Sequence, residues 1–465
     1  MRTWPLSVAL LSSCAALPAV HAWAAVGHEI IATIAQIHLP KPVLSLVCDI
    51  LHPSLNLSDS PKDAAAPPCH LAPISTWADA IRTRPEYRYT APMHYINSVD
   101  DAPPHSCQFP GPNGWMGRPT ANILAALGNV TSVLRDYAKG ERAVGDAEEA
   151  LKFLVHWVGE MHQPLHLCGR DKGGNGVRVA WNGRVSNFHH VWDGLLIAQG
   201  VRLTPRNYTV PLSGSEGALV ERHLRGAIYD PYIRRIMHEG LTDGGRFADE
   251  SDAWLDCPAP SPDLQSSPSS QWTPRTPVGQ ALEHTLRALG VDIGLLAAPR
   301  LQALLDFNFS AALGLTTPAG TEKRWDDARM CPYAWARDVH ALNCDAELPI
   351  WPHGLDAPGE HEGEESEVRG WHAVPYDVVE YGDESLMGGV VDVKQRETEE
   401  AMGLSEEGED ARTPRHPELL ELDSPEYAGK LANRWVVERL LAMGGVRLAG
   451  VLTDILADVA GDVQT

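Results

Sequence analysis

The stretch Phe153-Leu154-Val155-His156-Trp157-Val158-Gly159-Glu160-Met161-His162-Gln163-Pro164-Leu165-His166 decides how this chain is read. It closes a segment with helical periodicity that runs from Ala147 to Met161, and Pro164 cannot continue a helix. On that helix His156 and Glu160 stand four apart and project from nearly the same side, so they reach one metal ion or two adjacent ones. His189 and Asp193 repeat the spacing on a second predicted helix. One such pair is common on solvated helix faces. Two pairs joined by His166, preceded by Asp79 and His94, and by His28 near a new N-terminus, form a donor set of imidazole and carboxylate without thiolate. Such a set is expected of catalytic zinc, because it leaves open positions for water and substrate.

The N-terminus supplies a further donor. Arg2, the apolar run Pro5 to Val20, and Val20 and Ala22 at the −3 and −1 positions read as a signal peptide, 1–22, cleaved after Ala22. The mature chain then starts at Trp23, whose α-amine becomes available as a ligand. Secretion is the expected route, and the sequons at Asn56, Asn129, Asn207 and Asn308 are candidate glycosylation sites. No later segment reads as apolar enough to span a bilayer. The net charge of −23 argues against salt-dependent wrapping of a polyanion. Much of it is local, in Asp356 to Glu367 and Glu397 to Asp410, which read as solvated loops. Cys14 leaves with the signal peptide, so seven cysteines remain and at least one thiol is unpaired within the chain.

Most of the chain has helical periodicity, and the expected class is all-α with one β-hairpin and long loop insertions. His28 to His38 places Ile30, Ile31, Ile34 and Ile37 on one face. Ala121–Tyr137, Val191–Ala198, Glu216–Met237, Gln280–Leu289 and Pro299–Leu313 are also expected as helices, and Pro425–Val459 as a long one broken or bent near Gly444-Gly445. The hairpin joins Val177–Trp181 to Val185-Ser186 through Asn182-Gly183, a pair that accepts positive φ. Pro258–Pro277 reads as a linker or surface insertion.

At these residues the chain resembles the three-zinc, single-strand-preferring nuclease and 3′-nucleotidase family of secreted fungal and plant enzymes, which shares its fold with bacterial zinc phospholipase C. The resemblance lies in Trp23–His28, Trp77–Arg82, His94–Ile96, Phe153–His166, Gly173–Asn175 and His189–Asp193. It resumes in Trp335–Asp338, Cys344, Pro352–Gly354 and Gly444–Ala449. It implies one zinc nuclease domain over 23–465, with insertions at about 211–334 and 355–418.

Position by position, the resemblance implies three zinc ions. Asp79, His94, His156 and Glu160 would hold one, and the amine and carbonyl of Trp23 with His28 and Glu160 a second. His166, His189 and Asp193 would hold the third. Arg82 would stabilise the phosphate, Tyr95 would stack on a base, and Asn175 would contact substrate; plainer readings are a surface ion pair, a core aromatic and a turn. Disulfides Cys48–Cys69, Cys107–Cys344 and Cys257–Cys331 are expected, leaving Cys168 as a buried thiol. His162 and His190 are expected to face solvent or to support the ligands from behind. Two positions depart from the family pattern: Glu160 stands where aspartate is usual, and Asn97 where an aspartate often lies beside the attacking water. The implied activity is endonucleolytic cleavage of single-stranded RNA and DNA to 5′-phosphorylated products, with 3′-nucleotidase action, by a monomer without a membrane anchor. Alternatives are a phospholipase C-type phosphodiesterase and a catalytically weakened, zinc-stabilised secreted protein.

Overall fold

The computed structural model describes residues 23–55, 69–110, 114–118, 120–258, 329–348, 350–352 and 419–462, with single positions at 67 and 355 and the short run 325–327. The leader, the sequons at Asn56 and Asn308, the helices expected at 280–289 and 299–313, nearly all of 258–277 and both acidic runs lie outside the described residues.

Helix α1 (Ala25–His38) buries Ile30, Ile31, Ile34 and Ile37 as its periodicity requires, and His28 is buried at its first turn. Helix α2 (Lys41–Leu55) follows after a short break and was not evident in the sequence. A short helix α3 (Trp77–Ile81) carries Asp79. Helix α4 (Ile123–Ala138) starts at Asn122, whose Oδ1 accepts from Ala125 N at 3.0 Å, a cap that contributes about 1 kcal/mol. Helix α5 (Val144–Met161) is buried on every side from Leu151 to Met161, because α1, α2, α3 and α4 all pack on it. One contact there is unusually close. A Cβ on Gly159 would lie 2.6 Å from His28 Nδ1, so only glycine lets α1 bring that ring against α5.

The hairpin pairs β1 (Arg178–Trp181) with β2 (Arg184–Asn187), Trp181 opposite Arg184. Asn182 and Gly183 have φ of 50° and 68°, which closes the two-residue turn. The chain then runs on as one helix, α6, built from Phe188–His190, a π turn Val191–Leu195 and Leu196–Leu203. The single helix expected over Glu216–Met237 is two: α7 (Gly214–His223) and α8 (Asp230–Arg235), the latter continuing into a π turn Ile236–Leu241. Gly226 at φ 79° and Pro231, which lacks an N–H, break it.

Helix α9 (Pro332–Ala341), also unanticipated, and a C-terminal pair close the core. In that pair α10 (Ala428–Asn433) and α11 (Val436–Asp462) are separated at Trp435, which has φ 56°. Helix α11 runs through Gly444-Gly445 without a break. Those glycines serve a helix crossing instead, since a Cβ on Gly445 would stand 2.5 Å from Ile34 Cγ2 of α1. Helix α11 also corrects the expectation about spanning segments: Val436–Ala460 is long and apolar enough by length and composition to cross a membrane. Most of it is buried against α1, α2, α4 and α5, and a helix enclosed on most sides is apolar on most sides.

Three disulfides join Cys48 to Cys69, Cys107 to Cys344 and Cys257 to Cys331, as the resemblance implied, and Cys168 is a buried free thiol. Asn129 and Asn207 are exposed.

Candidate metal centre

Helix α5 presents His156 and Glu160 to the interior, both with no exposed surface. Glu160 Oε1 lies 2.8 Å from His156 Nε2 and 2.6 Å from His94 Nδ1, and Oε2 lies 2.7 Å from His166 Nδ1. Asp79 Oδ1 comes within 3.6 Å of His156 Nε2 and 3.5 Å of His94 Nδ1. The His28 ring stacks on His156 with centroids 4.0 Å apart. A second group adjoins the first: His166 Nε2 is 3.1 Å from His189 Nε2 and 3.8 Å from Asp193 Oδ1, and His189 Nε2 is 3.3 Å from Asp193 Oδ2. Donor atoms of His28, Asp79, His156 and Glu160 fall close enough together to hold one ion, as do those of His166, His189 and Asp193.

The donor chemistry fits cations. His156 Nδ1 donates to Ser75 O at 2.6 Å, His166 Nδ1 to His94 O at 3.2 Å and His189 Nδ1 to Gly173 O at 2.6 Å. In its neutral form each ring thus turns an Nε2 lone pair inward, the tautomer that metal-ligating histidines adopt. In that form the His166 and His189 lone pairs, 3.1 Å apart, cannot bond to each other, and a cation between them satisfies both. Buried atoms without a hydrogen-bond partner concentrate here too: both ring nitrogens of His28, and Nε2 of His94. Such groups are costly to leave unmatched.

Burial and neighbouring charge together set the protonation of these groups. Burial would raise Asp79, but Arg82, with Nη1 at 3.3 Å from Oδ1, and then His156 hold its carboxyl well below the usual range. Burial likewise opposes Glu160, and His166 and His156 outweigh it. Against burial, Asp79 and Glu160 push His156 up to about 10. Burial, with His156 alongside, brings His28 down to about 3, and burial with His166 does the same to His189. Asp193 is pushed well above the carboxylate range by burial, despite His166 and a 2.7 Å hydrogen bond from Gln163 Nε2.

The remaining expected residues lie around these groups. Trp23 is buried, and the next residue ties this segment to α6 through Ala24 N donating to Asp193 O at 2.7 Å. Tyr95 is half-buried and Asn97 buried in the segment that follows His94. Asn175 donates from Nδ2 to Lys172 O at 2.9 Å, and its Oδ1 is buried without a partner. His162 does not face solvent: it is buried, donates from Nδ1 to Val158 O at 2.7 Å and accepts from Arg447 Nη1 at 3.0 Å. His190 is exposed. Gln163, whose place in the motif was its only signal, holds Asp193, and no motif announced Arg447 as the partner of His162. A third group, Asp101, Cys107 and His340, has a disulfide-bonded sulfur and is structural: Asp101 accepts from His340 at 3.0 Å and from Gly169 N at 3.3 Å.

The fold and donor set define a helical protein whose buried histidine and carboxylate groups can hold metal ions. Residues 23–236, a little under half of the chain, match the S1/P1 nuclease family. The match runs past Val210 and takes in α7 and α8. Endonuclease 2 of Arabidopsis thaliana is 34% identical over 191 residues, 39% of this chain and 58% of that protein. Nuclease S1 of Aspergillus oryzae is 33% identical over 194 residues, 41% and 59% respectively, and nuclease P1 of Penicillium citrinum is 31% identical over 176 residues, 37% and 57%. The chain thus spans less than two thirds of the length of these relatives.

Proposed function

We propose that this protein is a secreted, zinc-dependent endonuclease that hydrolyses single-stranded RNA and DNA to 5′-phosphorylated products and removes phosphate from 3′-nucleotides. The observation that carries the reading is the pair of adjoining buried donor groups, His28, Asp79, His156 and Glu160 beside His166, His189 and Asp193. Asp79, His94, His156 and Glu160 would hold one zinc, Trp23, His28 and Glu160 a second, and His166, His189 and Asp193 a third. When bound, such ions activate water and stabilise charge on the oxygens of a phosphodiester. Arg82, already beside Asp79, offers a guanidinium to the non-bridging oxygens. Tyr95 offers a ring to a base and Asn175 an unmatched buried acceptor. Asn97, unlike aspartate, leaves the attacking water without a carboxylate acceptor at that position. Residues 23–465 are read as one domain with insertions, on the single continuous core of the described residues. The leader-like start and three disulfides support secretion.

The test is metal analysis of the purified mature protein, with a panel of single-stranded DNA and RNA, a 3′-nucleotide and phosphatidylcholine. Three zinc ions and cleavage of the nucleic acids and the nucleotide are expected. An active preparation with one zinc or none, or hydrolysis of the lipid alone, overturns the reading. A protein starting at Trp23 is expected to retain one zinc that a protein with one extra residue before it loses, since a peptide nitrogen is a poor ligand.

A further inference from the structure

Between Asp79 and His94 the chain forms a strap whose exposed side chains the metal cluster does not use. Its backbone is fixed by successive turns, Arg84 N to Ile81 O at 2.8 Å, Tyr87 N to Arg84 O at 2.9 Å and Thr90 N to Tyr87 O at 2.9 Å. Tyr87 OH pins it to α5 by donating to Glu149 at 2.7 Å. On this rigid support Arg84 and Arg88 are exposed, and neither makes an ion pair or side-chain hydrogen bond among the described residues. Tyr89 beside them is 57% exposed and is the only aromatic among the exposed large hydrophobic side chains described. The strap carries three arginines, Arg82, Arg84 and Arg88, and one acidic residue, Glu86, in a chain of net charge −23.

An ordered loop has little reason to hold two unpaired cations and a bare aromatic ring in water, and the three match the parts of a single strand: phosphate oxygens for guanidinium groups, a base face for the ring. The position suits this role, because the strap joins two members of the metal cluster. Tyr89 precedes His94 by five residues on the tight 3₁₀ segment Arg88–His94, which at about 2 Å per residue places them about 10 Å apart along its axis. We propose that Arg84, Arg88 and Tyr89 grip a single-stranded nucleic acid one or more nucleotides away from the bond being cut. This deepens the nuclease reading and rests on it. Substrates long enough to reach the strap gain affinity there; a 3′-mononucleotide does not.

The experiment measures kcat/KM for a single-stranded DNA oligomer relative to kcat/KM for a 3′-mononucleotide, using the zinc-loaded mature protein. For Tyr89→Ala the ratio is expected to fall about tenfold, in line with one lost base stack, and Tyr89→Phe is expected to restore it. For the Arg84→Ala/Arg88→Ala double variant the fall is expected in KM rather than kcat. The dependence of oligomer KM on salt should also become shallower, by about one unit of log–log slope per lost phosphate contact. A ratio within about twofold of wild type for all variants overturns the proposal, as does an equal loss on both substrates, which would mark the strap as structural. If the wild-type protein cuts neither substrate, the nuclease reading fails and the grip fails with it.

Discussion

Residues 23–236 and the C-terminal segments 329–352 and 419–462 contribute to the metal centre in opposite ways. The first region supplies every donor side chain. The second supplies none, yet it backs the site from outside at four points. Arg447 of α11 bonds His162, at the end of the helix that carries His156 and Glu160. Asn343 donates to Pro164 O at 3.0 Å, in the turn before His166. Tyr427 accepts from Trp192 Nε1 at 2.8 Å, next to Asp193, and donates to Ile350 O at 2.7 Å. Glu421 accepts from Asn182 N and Gly183 N at the hairpin turn. Chemistry can therefore stay in one region while the rigidity it needs comes from another, where side chains serve a contact rather than a reaction.

The contrast predicts a graded series. Glu160→Gln removes a charge that would serve two of the three proposed zinc ions, so it should empty more than one metal position and abolish activity; metal analysis checks it, and full occupancy would show that Glu160 is not shared. Gln163→Ala keeps every donor but frees Asp193 to rotate, and the expected cost is about 10- to 100-fold in metal affinity, read by chelator competition. Tyr427→Phe, on the supporting side, should leave metal content near wild type while lowering stability by about 1–3 kcal/mol, because a buried indole N–H loses its acceptor; urea unfolding measures it.

A further prediction concerns pH. Burial, then Arg447, pull His162 from 6.5 to about 3, so the folded state holds it neutral where the unfolded chain would bind a proton. Stability from this group is complete above pH 6.5 and is lost as pH falls toward about 3, since the unfolded state binds more protons throughout that window. In metal-stripped protein, His162→Gln should flatten the acid side of the stability curve, by at most about 1.4 kcal/mol per pH unit. An unchanged slope would remove His162 from the account.

The donor side was largely legible in the sequence, because spacing of four on a helix and a run such as Gln163-Pro164-Leu165-His166 are local signals. The supporting side was not. Arg447 lies 285 positions from His162 and Tyr427 lies 235 from Trp192, and no periodicity encodes such pairs. Helix α2 went unnoticed between short breaks, and Gly444-Gly445 was misread as a break because a glycine pair weakens a helix in isolation but enables a close crossing in a core. The π turn at Val191–Leu195 lay within an expected helix whose pattern does not distinguish it.

The disulfides divide the chain into parts of unequal fate under cleavage. A backbone cut anywhere between residues 258 and 330 leaves both fragments covalently joined, through Cys257–Cys331 and again through Cys107–Cys344. A cut between residues 356 and 418 is not bridged: everything beyond it, including α11 at the centre of the core, would be held by packing alone. From Cys107 to Cys344 the chain is thus bridged against any single cut, whereas its innermost helix, beyond that span, depends on an unbroken backbone.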